Sequence, residues 1–118
     1  EPPLLARRSG EISVINEGGG PPLCVMDDFP YEQARFTLLP GDVLLLMSDG
    51  ITEAMNSGGA RYGRDRLNPL LAAHGGRSAD AAALGHTILA DVKTFEASAD
   101  PADDQTLVIV SWRGPAAP

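Results

Sequence analysis

The sequence predicts an α+β domain built on a mainly antiparallel sheet. Two continuous apolar runs, Val43 to Met47 and Leu107 to Val110, have the pattern of strands covered on both faces. Between them, Leu84, Ile88, Val92 and Phe95 recur at helical spacing. Strands come first, helices follow and one strand returns at the end, an order that favours packed antiparallel layers over a βαβ alternation.

The elements follow in chain order. Pro2 to Ala6 and Glu11 to Ile15 flank the turn-rich Arg7-Arg8-Ser9-Gly10, which predicts a hairpin of edge strands. Gly18-Gly19-Gly20-Pro21-Pro22 opens a loop that leads through Leu23 to Met26 and into Asp27-Asp28-Phe29-Pro30. Gln33 to Leu39 has an extended pattern, and Pro40-Gly41 supplies the two central positions of a type II turn. The Val43 to Met47 strand stops at Ser48-Asp49-Gly50, with a short helix expected around Ile51 to Met55 and a loop at Asn56 to Gly59. A second helix is predicted over Arg64 to Ala73, kinked by Pro69 or starting near it. The third, from Ser78 to about Ala97, has Ser78 as its cap and Asp80 in its first turn. Asp100 to Asp104 is a turn, Gln105 to Trp112 the final strand and residues 114–118 a tail.

Composition narrows the function classes. The 118 residues are 43% hydrophobic and 21% charged, enough apolar content for one compact domain. The longest uninterrupted apolar run, Val43 to Met47, is far shorter than the roughly 20 residues a membrane helix needs. A net charge of −7 disfavours nucleic acid and anionic lipid as partners. Cys24 is the only cysteine, so no internal disulfide forms and a reducing, cytoplasmic setting is expected. The chain begins at Glu1 with neither an initiator Met nor a signal peptide, which reads as a piece of something longer. Lys93 is the only lysine beside eight arginines, a bias that together with abundant Ala points to a GC-rich bacterial source.

Two acidic features share one grammar. Asp49 ends one apolar strand and Asp103-Asp104 precedes the other. If the two strands are antiparallel neighbours, the end of one lies beside the start of the other. Carboxylates gathered there repel one another unless a hard divalent cation neutralises them, and oxygen-only ligands select magnesium, manganese or calcium over zinc. Gly50, lacking Cβ, lets a ligand approach its backbone. Thr106 has the position to support a ligand carboxylate by hydrogen bonding. The alternative is structural: Asp49 caps the following helix, and Asp103 and Asp104 belong to a loop.

The stretch Leu38-Leu39-Pro40-Gly41-Asp42-Val43-Leu44-Leu45-Leu46-Met47-Ser48-Asp49-Gly50-Ile51-Thr52-Glu53-Ala54 is followed by Tyr62-Gly63, Arg66-Leu67 and Asp103-Asp104-Gln105-Thr106-Leu107. Together they resemble the SpoIIE-like bacterial branch of the PPM metal-dependent serine/threonine phosphatases. Pro2-Pro3-Leu4-Leu5 resembles the segment that directly follows a Gly-His pair in that family, so residues 1–113 correspond to the C-terminal portion of the catalytic domain. The resemblance implies an α/β/β/α sandwich of two antiparallel sheets flanked by helices, with a binuclear magnesium or manganese centre. It implies Asp49 and Asp103 as metal ligands, with Asp104 in the companion position after them and Gly50 contributing its backbone. The bridging aspartate and the glycine that follows it in the family have no counterpart among residues 1–118, so the isolated chain is expected to be inactive. Cys24 stands where the family's pattern leads one to expect glycine.

The implied function is hydrolysis of phosphoserine or phosphothreonine on a regulatory partner protein, such as an anti-sigma-factor antagonist, by metal-activated water. No side chain is then the nucleophile. A non-catalytic signalling module is the alternative, either a pseudophosphatase or a receiver-like domain. A receiver needs its acidic pair early and a lysine late on a strand, whereas here the pair comes last and Lys93 falls in a helix. Other candidates read more simply. His74 and His86 are structural or solvated, Asp27-Asp28 is a turn, and Cys24 is a small buried side chain. Arg61, Arg64 and Arg66 form a basic patch able to attract a phosphoprotein or to solvate a helix start.

Overall fold

The computed structural model describes residues 1–74, 80–101 and 103–115, with the His74 side chain outside the description. Strands β1 (Leu4–Ala6) and β2 (Ile12–Val14) pair antiparallel, with Leu5 opposite Ser13. The connecting turn closes through hydrogen bonds from Gly10 N to Arg7 O (2.9 Å) and Arg7 N to Glu11 O (2.8 Å). Gly10 has φ +97°, a conformation that costs a glycine nothing. Strands β3 (Val43–Met47) and β4 (Leu107–Ser111) complete an antiparallel sheet of order β2-β1-β3-β4. The hairpin is as expected, but β1 is an interior strand because β3 pairs along its other side.

Helices α1 (Asp49–Thr52), α2 (Gly63–His74) and α3 (Ala81–Glu96) follow β3. Their inward residues Ile51, Leu67, Leu71, Leu84, Ile88 and Val92 meet Leu4, Ala6, Val43, Leu45 and Met47 of the sheet in one buried core. Pro69 lies inside α2 on its exposed side, while Leu67 and Leu71 face inward. The N-cap of α3 is Asp80, whose side chain accepts a hydrogen bond from Ala83 N at 3.1 Å; Ser78, the expected cap, lies outside the described residues.

The expectation that β3 and β4 are covered on both faces is corrected. Alternate residues of β3 enter the core, but Leu46 is 38% exposed, and its cross-strand partner Val108 and the nearby Val110 are 52% and 43% exposed. The second face is only partly covered: Leu5 of β1 is buried there, but among the described residues no second sheet packs over Leu46, Val108 and Val110. The Gln33 to Leu39 segment forms no strand. Side chains hold it instead: Arg7 Nη1 donates to Thr37 O at 2.7 Å, and Leu39 N donates to Asp42 Oδ2 at 2.8 Å. Pro40-Gly41 makes the anticipated turn, with Asp42 N bonded to Leu39 O at 2.9 Å and Gly41 at φ +94°. Cys24, expected inside, is exposed at φ +66° between the exposed Leu23 and Val25, in a loop that has no layer to bury it.

Asp42 locks the start of β3. Its buried carboxylate accepts from Arg7 Nη1 (2.6 Å), Arg8 N (3.0 Å) and Leu39 N (2.8 Å). Burial pushes this carboxyl up, but the Leu39 amide, the Arg7 guanidinium and the Arg8 amide outweigh it and hold it below the usual carboxylate value. A depressed folded-state value gives stability that is complete above the unfolded value of about 3.9 and is lost as pH falls through the folded one. Asp42→Asn is therefore expected to lower stability at neutral pH and to flatten its decline below about pH 4. Urea midpoints measured across that range check this, and an acid limb as steep as that of the unsubstituted chain contradicts it.

Candidate metal centre

The β3–β4 register carries both acidic motifs to one end of the sheet. Met47 pairs with Leu107, and just beyond them Ser48 N donates to Thr106 O at 2.9 Å. Ser48 then uses its hydroxyl across the gap, accepting from Thr106 N at 2.9 Å and donating to Asp104 O at 3.0 Å. It is the N-cap residue of α1 but makes no side-chain cap bond, since its hydroxyl is engaged by the facing segment. Asp49 is the first residue of α1, not its cap, with a side chain 56% exposed. The Glu1 amino nitrogen lies 3.5 Å from Asp49 Oδ1, so the chain entering β1 passes the same end of the sheet.

Gly50 sits under the Asp103-Asp104 backbone. A Cβ built on it would meet Asp104 O at 2.1 Å and Asp103 O at 3.3 Å, a separation that only glycine permits. Asp103 Oδ1 accepts from Asp104 N at 2.7 Å, which fixes the Asp103 side chain against its own loop. Asp104 contributes its carbonyl to Ser48. Asp49, Gly50, Asp103 and Asp104 are thus brought to one end of the β3–β4 pair. Thr106 takes part through its backbone alone in the bonds seen. Thr52, three residues after Asp49, has a buried hydroxyl oxygen with no hydrogen-bond partner among the described residues.

Among the described residues no three carboxylate, imidazole or thiol groups converge on one point. Asp49 and Asp103 are both exposed and carry oxygen donors only, a set that suits magnesium or manganese as part of a centre. Sequence reasoning missed Ser48, the residue that joins the two motifs. Its only signal was position, immediately before Asp49 in an otherwise apolar strand.

The basic patch is divided in the structure. Arg64 Nη2 bonds Glu1 Oε2 at 3.0 Å, and Arg66 lies over the Phe95 and Tyr62 rings at 4.6 and 5.7 Å. Arg61 lies beside the acidic end of the sheet, 3.6 Å from Glu53. Tyr62 is buried, and its hydroxyl donates to Asp91 Oδ2 at 2.5 Å; burial first and then the Asp91 carboxylate push its ionisation well up. It is a structural post. His86 is exposed on α3, and Asp27-Asp28 lies in the exposed loop with Asp28 at φ +52°.

The solved structures this chain resembles include a phosphatase domain and a PP2C domain. The SpoIIE phosphatase domain of Bacillus subtilis, in a manganese-presoaked crystal, matches with a TM-score of 0.70 at 19% identity, over 100% of this chain and 49% of that one. The SiaA-PP2C domain of Pseudomonas aeruginosa matches with a TM-score of 0.74 at 16% identity, over 94% of this chain and 43% of that one. A third match is the Bacillus subtilis domain in a crystal form without domain swapping, with a TM-score of 0.64 at 19% identity, over 99% and 51% of the two chains. The chain thus spans about half the length of these solved chains and has their mixed helix and antiparallel-sheet architecture. The sequence matches the Stage II sporulation protein E (SpoIIE) family over residues 1–113, and the chain belongs to that family. A search of curated proteins finds no match. No helix among the described residues is long and apolar enough to cross a membrane.

Proposed function

We propose that this chain is the C-terminal part of a metal-dependent phosphatase domain that removes phosphate from serine or threonine of a cytoplasmic regulatory protein, such as an anti-sigma-factor antagonist. The observation that carries the reading is the packing of Asp103-Asp104 against Gly50 beside Asp49, two acidic motifs 54 residues apart in sequence held together through Ser48. In this reading Asp49 and Asp103 hold magnesium or manganese, and Asp104 stands next to them. A bound divalent cation supplies Lewis acidity, lowering the pKa of water and neutralising phosphoryl charge. The protein's part is to fix the donors: Ser48 pins the Asp104 carbonyl, Asp104 N pins the Asp103 carboxylate, and Gly50 leaves room for both. Membership of the SpoIIE family supports the chemistry.

Calorimetry on the complete domain tests the donor set. Manganese and magnesium are expected to bind, binding is expected to weaken with Asp49→Asn and Asp103→Asn, and zinc is expected to gain little from oxygen-only ligation. A clear preference for zinc, or manganese binding indifferent to both substitutions, removes these residues from the centre. Release of phosphate from a phosphoserine peptide, measured in parallel, tests the activity.

A further inference from the structure

A cavity of about 220 Å³ lies against the acidic end of the sheet, lined by Gly50, Glu53, Ala54, Met55, Arg61 and Asp103. One wall is a small hairpin. Met55 and Arg61 face each other in an antiparallel bridge, and Tyr62 N donates to Ala54 O at 2.7 Å. Asn56 braces the turn: its Oδ1 accepts from Gly58 N and Ala60 N at 3.0 Å each, and its own amide donates to Ala60 O at 3.0 Å. Arg61 is therefore carried between a braced turn and the buried Tyr62, with its backbone fixed and its side chain 66% exposed. Its guanidinium meets Glu53 at 3.6 Å, and the Glu53 side chain is 53% exposed. A solvated pair of this kind is weak and open to exchange. Among the described residues Arg61 is the only cation lining the cavity, beside Glu53 and Asp103, in a chain of net charge −7.

We propose that Arg61 is a specificity-determining residue, receiving an acidic side chain next to the phosphorylated residue of the substrate protein. This rests on the phosphatase reading above and adds a substrate class to it. An acidic segment approaching this cavity is repelled by Glu53, and Arg61 offers the compensating contact. Its planar fork of donors binds a carboxylate in two places at once, so the carboxylate of the substrate displaces Glu53. Steering by such a contact weakens as salt screens it.

The test compares two phosphoserine peptides, identical except for Asp or Lys beside the phosphoserine, with the complete phosphatase domain in manganese. The ratio of kcat/KM for the two peptides is expected to favour Asp by about fivefold, as for a contact at an exposed charge pair. Arg61→Glu is expected to reverse the preference, Arg61→Lys to keep its direction, and about 1 M salt to collapse it. Turnover with the same ratio in the Arg61→Glu variant overturns this inference alone. No turnover of either peptide by the unsubstituted domain overturns the phosphatase reading and the inference with it.

Discussion

Gly50→Ala is expected to cost about 3 kcal/mol, as an overpacked site that cannot relax. The new methyl group would stand 2.1 Å from Asp104 O and 2.8 Å from Asp104 C, both backbone atoms, so no side chain can rotate away to make room. Either α1 moves, and with it the buried Ile51, or the Asp103-Asp104 segment lifts and breaks its bond to Ser48. In the complete domain the second outcome separates the two candidate ligands, so metal affinity is expected to fall along with stability. Gly85→Ala is the matching control. There the added Cβ meets only Ile109 Cδ1 at 3.6 Å, and alanine gains about 1 kcal/mol of helix propensity. Urea midpoints of the two variants measure the difference, and a Gly50→Ala midpoint equal to that of Gly85→Ala contradicts the close approach.

The second large effect is on turnover. In the complete domain, Asp49→Asn and Asp103→Asn are each expected to lower phosphopeptide hydrolysis by about a hundredfold or more, equivalent to about 2.7 kcal/mol of barrier. Asparagine keeps the shape of each side chain and removes the negative charge that a hard cation requires. The 118-residue chain alone is expected to turn over negligibly, since no three donors converge among the described residues. Phosphate release in millimolar manganese decides both points. Full turnover by the chain alone shows that two carboxylates are enough, and an unimpaired Asp103→Asn domain removes that residue from the chemistry. Because both side chains are exposed, these variants are expected to fold normally, which separates them from Gly50→Ala.

Local pattern made much of this arrangement legible. The Arg7-to-Gly10 hairpin, the Pro40-Gly41 turn and the α3 periodicity are each decided within a few residues, and each is present in the structure. Pairing of β3 with β4 follows from two apolar runs that need neighbours, and the pairing brings Asp49 and Asp103 to the same end of the sheet. What sequence did not reveal depends on partners far along the chain. An apolar run indicates that a strand prefers cover on both sides, but not whether the described residues provide it, and the bare Leu46, Val108 and Val110 answer that only in three dimensions. Gln33 to Leu39 has strand-like composition, yet the side chains of Arg7 and Asp42 hold it in place of a ladder. Ser48 was passed over because the helix-cap reading fell on Asp49, and the Ser48 hydroxyl serves a segment more than fifty residues away.

The placement of β4 has a consequence for the chain in isolation. It is the last strand of the sheet, with no strand beyond it among the described residues, and Val108 and Val110 stand exposed along it. An edge that offers unpaired amides and carbonyls beside uncovered valines is a template for another copy of the same strand. At neutral pH the excess of acidic residues keeps copies apart by mutual repulsion. Acidification lowers that net negative charge, and at still lower pH, through its depressed value, Asp42 loosens its hold on β3. Stickiness in mild acid is thus built into the outer rim of this sheet, and protein concentration becomes a variable in any acid titration of the chain.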